Sequence, residues 1–262
     1  MDLDPKYTFT PLLARQYMGI DNKDTQDYFR KWGIHGNIGI QNFSFNEEFQ
    51  PYNKYQIAEA FFKDDIVVKS LLHKDGDSWI NKSIKAECVE VCTVACTILD
   101  MSFFDKLMDP ENKIVFNTGK IRQRYETVVD DFVICDNLRG MLLDTECPEY
   151  NLFTDEERQE FIFRIFELLV LGGVLCQFEN EIKPYLDITR SIYKDLITVQ
   201  LHEQGQNLSI GTTVLQVVAK NSQGEAFFPT NSELRQNIGF LLIDGLNRQI
   251  TTFLHQFGSF HW

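Results

Sequence analysis

Residues 161–178 read FIFRIFELLVLGGVLCQF. The stretch admits three readings: a membrane span, a phosphate-binding loop, or a core helix stopped by its glycine pair. Arg164 and Glu167 interrupt the apolar run, which leaves 168–176 free of charge. A spanning helix needs roughly 20 apolar residues, so the run is too short to be one. The phosphate loop fails too. Neither G-x-G-x-x-G nor G-x-x-x-x-G-K-[ST] occurs, and the pair follows a helical run where a phosphate loop would precede one. Gly119-Lys120 also lacks the upstream glycine. A core helix is what the pattern predicts. Thr154 and Glu157 form a capping box, and Asp155 and Glu156 suit a first turn. Phe161, Ile162, Ile165, Phe166 and Leu169 follow at helical spacing. Gly172 and Gly173 then end the helix, because glycine takes the left-handed conformation of a C-cap. The chain continues through 174–178 as a short buried strand or a tight second turn.

Working outward, a second helix starts near Pro184, which fits a first turn. Ile182, Tyr185, Leu186, Thr189, Ile192, Tyr193 and Leu196 make its stripe. Past residue 196 the period changes. LITVQLHE, LSIGTTVLQVVAK, GEAFF and IGFLLIDGLNRQITTFLHQF are β-rich, with Asp244-Gly245 opening a hairpin turn. Before the helix pair, NKDTQDYFRKW and KYQIAEAFF read as helices, GNIGIQNFSF as a strand and KDGDSW as a turn. The middle reads as mainly helical. The expectation is an α+β fold with N-terminal mixed helices and strands, a central helix pair and a C-terminal antiparallel β-rich part. One domain covers 1–262, with a division into lobes at about 1–150 and 151–262 left open.

The chain carries a net charge of −13. A surface that acidic repels phosphate backbones, so neither nucleic acid nor anionic membrane is expected as a partner. Solubility alone accounts for such a charge; the alternative is recognition of a basic partner. The first 19 residues show no basic region leading into an apolar one, so no secretory signal is expected. The six cysteines, Cys88, Cys92, Cys96, Cys135, Cys147 and Cys176, are therefore expected to be reduced and mostly buried.

No catalytic constellation emerges. Cys88, Cys92 and Cys96 recur every fourth residue and would share a face, but no fourth zinc ligand lies nearby in sequence. His73 and Asp75, with distant His202 or His255, imitate an iron-binding triad. An exposed turn explains the pair better. G-x-S-x-G and His-Glu-x-x-His are absent. Acidic pairs such as Asp130-Asp131 and Glu47-Glu48 are too common to nominate. No metal and no cofactor is expected. One feature stands out: the aromatic tail LHQFGSFHW. Phe257, Phe260 and Trp262 either dock on the core or anchor a partner.

Several stretches carry a family resemblance: AFFKDD (60–65), CTILDMSFFDKL (96–107), EEFQPY (47–52) and above all EFIFRIFELLVLGGVLCQFENEIKPYLDITRSIYKDL (160–196). The chain resembles the cilia- and flagella-associated protein 300 family from about residue 25 to about residue 255. The resemblance implies a cytoplasmic and ciliary factor for axonemal dynein arm assembly. It implies dynein arm assembly factors or axonemal dynein subunits as partners, and intraflagellar transport as the route into the cilium. It supplies no catalytic motif, so no enzyme is expected. The alternative is an enzyme with a metal or small-molecule pocket on the β-rich half. The first 20 residues, Cys88, Cys92 and the 260–262 tail match nothing in the family pattern.

Overall fold

The computed structural model describes residues 6–201 and 208–258. In chain order the elements are β1 (Phe9–Pro11), α1 (Lys23–Lys31), β2 (Ile38–Phe45), α2 (Lys54–Lys63), α3 (Asp65–Ser70), β3 (Leu72–Asp75), β4 (Ser78–Asn81) and β5 (Cys88–Val94). Then come α4 (Asp105–Met108), β6 (Gln123–Val129), β7 (Phe132–Asp136), α5 (Asn137–Leu143), α6 (Asp155–Arg158), α7 (Phe161–Leu171) and α8 (Lys183–Leu196). The last strands are β8 (Val199–Leu201), β9 (Leu208–Ile210), β10 (Thr212–Lys220), β11 (Ala226–Phe228), β12 (Ile238–Asp244) and β13 (Gln249–His255).

Seven strands form one antiparallel sheet, ordered β1-β2-β13-β12-β10-β11, with β5 also paired to β10. The β3-β4, β6-β7 and β8-β9 pairs are separate two-stranded ribbons. Side chains alternate along each strand, so the main sheet has two faces to cover. Val214, Phe240, Leu242 and Phe253 point to a core built with α5, α7 and α8. Leu215, Leu241, Ile243 and Leu254 point the other way, to a core built with α2 and α3. Strand β12 is thus buried on both faces, which explains its unbroken apolar run Ile-Gly-Phe-Leu-Leu-Ile. This is the expected α+β architecture, and the helix pair and the β12-β13 hairpin stand where the sequence puts them.

Two expectations need correction, and two are refined. The helix from Thr154 is two helices. The capping box forms, but the chain turns away at Gln159-Glu160 so that the Phe161 amide can donate to the Ala95 carbonyl at 2.7 Å, in a bridge to the end of β5. Of the two alternatives for 174–178, the chain takes the tight turn. It closes through Cys176 N–H to the Gly173 carbonyl and leaves Leu175 exposed. The middle is mainly helical, as expected, but it also holds the β6-β7 ribbon. Among the cysteines only Cys147 is buried. Cys88 and Cys92 are exposed, since β5 pairs with β10 along one side and its outer face is uncovered. All six thiols are free.

The glycine pair itself is required by a close approach of two backbones. Gly172 caps α7 with φ 65° and ψ −167°, a conformation open essentially to glycine, rather than with the left-handed ψ of a standard cap. A Cβ there would lie 2.8 Å from the Trp32 carbonyl oxygen, and one on Gly173 would lie 2.0 Å from that of Gly33. The two segments are held in register by Gly173 N–H to Trp32 O and Gln177 N–H to Lys31 O, both at 2.8 Å.

Candidate functional site

The turn that follows the glycine pair forms one wall of a cleft of about 840 Å³. The tip of the β6-β7 ribbon (130–133) forms the facing wall, and the 233–236 loop and Phe257 complete it. Each wall has a local cause. The ribbon reverses over Asp130 and Asp131, both in the left-handed region (φ 48° and 67°), as a two-residue hairpin turn requires. Leu175 is held left-handed as well, at φ 58°, and is 66% exposed. The 233–236 loop is pinned to the α7 terminus by the Gln236 side-chain amide, which donates to the Gly172 carbonyl. His255 holds the same loop through a ring nitrogen 2.6 Å from the Gln236 carbonyl.

Two arginines reach the cleft, and both are neutralised from within. Arg139, 1% exposed, pairs with the equally buried Asp136. It also donates to Tyr185 Oη at 3.0 Å and to the Val170 carbonyl at 2.8 Å, and lies 3.4 Å over the Phe178 ring. Burial works against its charge, but Asp136 and Tyr185 outweigh that and raise its pKa. Burial in turn pushes the Tyr185 phenol up to about 12, against the lowering effect of Arg139. Arg235 binds the buried carboxylate of Glu167 at 2.5 Å. Glu167, one of the two charges interrupting the apolar run of α7, is thus an internal counterion. Burial pushes the Cys176 thiol up to about 12. Arg158 is structural. It donates to the Met141 carbonyl at the end of α5 and lies 3.9 Å over Tyr150.

Of the aromatic tail, Phe257 lines the cleft, half-buried, with its amide donating to Asn237 Oδ1 at 2.7 Å. Phe260 and Trp262 lie outside the described residues, as does His202. The imagined iron triad is not assembled. His73 is buried in β3 rather than exposed in a turn, with its ring edge-on to Phe227. The Phe227 backbone lies against it without hydrogen-bond geometry, and burial lowers its pKa to about 4. Asp75 pairs with Lys82, and His255 is committed to Gln236. Cys96 meets Tyr193 Oη at 3.4 Å, away from the exposed Cys88 and Cys92. Among the described residues no three metal-binding side chains come together. No described helix is long and apolar enough to cross a membrane.

Sequence reasoning missed the cleft because five separate segments build it. One signal was available: the Asp-Asp pair between ETVV and FVIC, a hairpin turn between two β-branched runs.

The pattern of the family described as "Cilia- and flagella-associated protein 300" matches residues 6–255. A protein of that name from Paramecium tetraurelia is 28% identical over 212 residues, which is 81% of each chain. One from Chlamydomonas reinhardtii is 24% identical over 254 residues, covering 95% of this chain and 97% of its own. No solved structure matches significantly.

Proposed function

Since the chain belongs to the cilia- and flagella-associated protein 300 family, we propose that it acts as a non-enzymatic adaptor in the assembly of axonemal dynein arms. The coarse statement, a cilia- and flagella-associated protein, follows from membership. One observation supports the finer role: the family match runs through 6–255, which spans both cores and every cleft segment except Phe257. The adaptor works in the cytoplasm, where dynein arms are preassembled, and accompanies cargo into the cilium by intraflagellar transport. Its partners are dynein arm assembly factors or axonemal dynein subunits. A stable core with an open, apolar-walled cleft suits that role, because such a protein must offer a fixed surface to a partner.

The test is a null strain of a ciliated cell. The expected outcome is cilia of normal number that do not beat, axonemes lacking dynein arms, and arm subunits retained in the cell body. Normal arms and normal beating would refute the role.

A further inference from the structure

The cleft has walls of one kind and a rim of another. Leu175 and Leu234 face solvent at 66% and 44% exposure, and Val133 and Phe178 are also exposed. Apolar side chains gathered in a concave site are what a binding surface leaves uncovered until its partner arrives. The rim carries Asp130, Asp131 and Glu233, none of which has an ion-pair partner among the described residues. The two arginines do not offset these charges, because Asp136 and Glu167 already neutralise them. The open charge of the cleft is therefore negative, as is that of the whole chain at −13.

We propose that this cleft docks a segment of a partner protein whose apolar side chains are flanked by lysine or arginine. Apolar side chains would fill the space among Leu175, Leu234, Val133 and Phe178. The flanking cations would meet the rim carboxylates. Two other occupants answer the chemistry less well. A second copy of this chain brings the same negative charge. The chain's own residues 259–262, Ser-Phe-His-Trp, bring aromatics but no lysine or arginine.

The proposal deepens the adaptor reading and rests on it, but its test needs no cilia. A random dodecapeptide library displayed on phage is panned on the full chain at low salt. The enriched peptides are synthesised and titrated by fluorescence polarisation. Two variants accompany the natural protein, Leu175→Asn and the double variant Asp130→Asn, Asp131→Gly. The double variant removes two rim charges while installing Asn-Gly, the pair best suited to this turn, so lost binding cannot be blamed on unfolding. The expected peptides carry Lys or Arg beside Leu, Phe or Trp. Their affinity falls about tenfold or more in each variant, and falls again as salt rises. The proposal is overturned if no sequence is enriched, if the enriched peptides are acidic, or if they bind both variants as well as the natural chain. It is also overturned if deletion of 259–262 raises their affinity about tenfold, which assigns the cleft to the tail. Self-association competed by the peptides would assign it to a second copy and overturn it equally. A failure here leaves the dynein-arm phenotype standing, and a normal null strain leaves this binding standing.

Discussion

The two faces of the main sheet are closed by different chemistry. The α2 face is packed mainly by aromatic edges. Phe61 sits at the centre, edge-on to Phe9, Phe43 and Phe62 at 4.9–5.2 Å between ring centroids. The α7 face also has a large apolar core, but it adds buried charge: Arg139 with Asp136, Arg235 with Glu167, and Arg158 on main-chain carbonyls. Only this second face opens into the large cleft. Apolar packing holds a surface together by area and tolerates small shifts. A hydrogen-bonded ion pair fixes direction, since each donor must find its acceptor. The buried charge sits where the walls of an opening must keep their places.

The largest effects should separate the two chemistries. Phe61→Ala removes a fully buried ring and should cost about 4 kcal/mol in chemical denaturation, as large core truncations do. Arg139→Met should cost a similar amount for a different reason, because it strands Asp136 uncompensated in the interior. The double variant Arg139→Met, Asp136→Asn should recover much of that loss, whereas no second substitution on the α2 face should rescue Phe61→Ala. If the double variant is no more stable than Arg139→Met alone, the ion pair does not govern this face.

Gly172→Ala comes next, at about 3 kcal/mol, because it combines a glycine-only conformation with a Cβ pressed against Cys176 and the Trp32 carbonyl. Ordinary surface-level tolerance at this position would show that the cap is not strained.

Acid should weaken both faces together. His73 lies on the α2 side and His255 beside the cleft loop, and burial lowers each pKa to about 4. In the unfolded chain each returns to about 6.5 and binds a proton more readily. Stability should therefore be full above about pH 6.5 and fall between about 6.5 and 4, by up to about 1.4 kcal/mol per pH unit for each histidine. His73→Leu should remove its share of that slope and leave the share of His255. An unchanged slope would show that carboxylates dominate.

The smallest effect is a gain. Asp130→Asn with Asp131→Gly relieves two left-handed aspartates and should raise stability by about 1 kcal/mol. A loss instead would mean that these carboxylates have partners in the folded chain.

How much of this was legible follows from the range of each cause. Helices α7 and α8 were readable because a local apolar period specifies them, with Gly172 ending one and Pro184 starting the other. The Gly172 stop was readable too, although the reason for the second glycine, the carbonyl of Gly33, lies about 140 residues away in sequence. The break at Gln159-Glu160 was not readable, since its cause is the Ala95 carbonyl. The β6 strand, Gln123–Val129, hid because it is exposed on both sides and shows no alternation. The sequence reading did not single out Arg139. Asp136 three residues earlier hinted at a pair, but burial by Phe178 and Tyr185 could not be read locally. The exposed Cys88 and Cys92 were misjudged because nothing in sequence says which strand ends a sheet.

Strand β2 lies between β1 and β13, and Gln41 on it bonds Thr252 across a chain separation of 211 residues. At ribosomal speeds of about 5–20 residues per second, β2 waits roughly 10–40 seconds after synthesis for that partner. Throughout that interval Ile38, Ile40, Phe43 and Phe45 have no sheet to cover them. The sheet therefore cannot close around β2 until nearly the whole chain has been made.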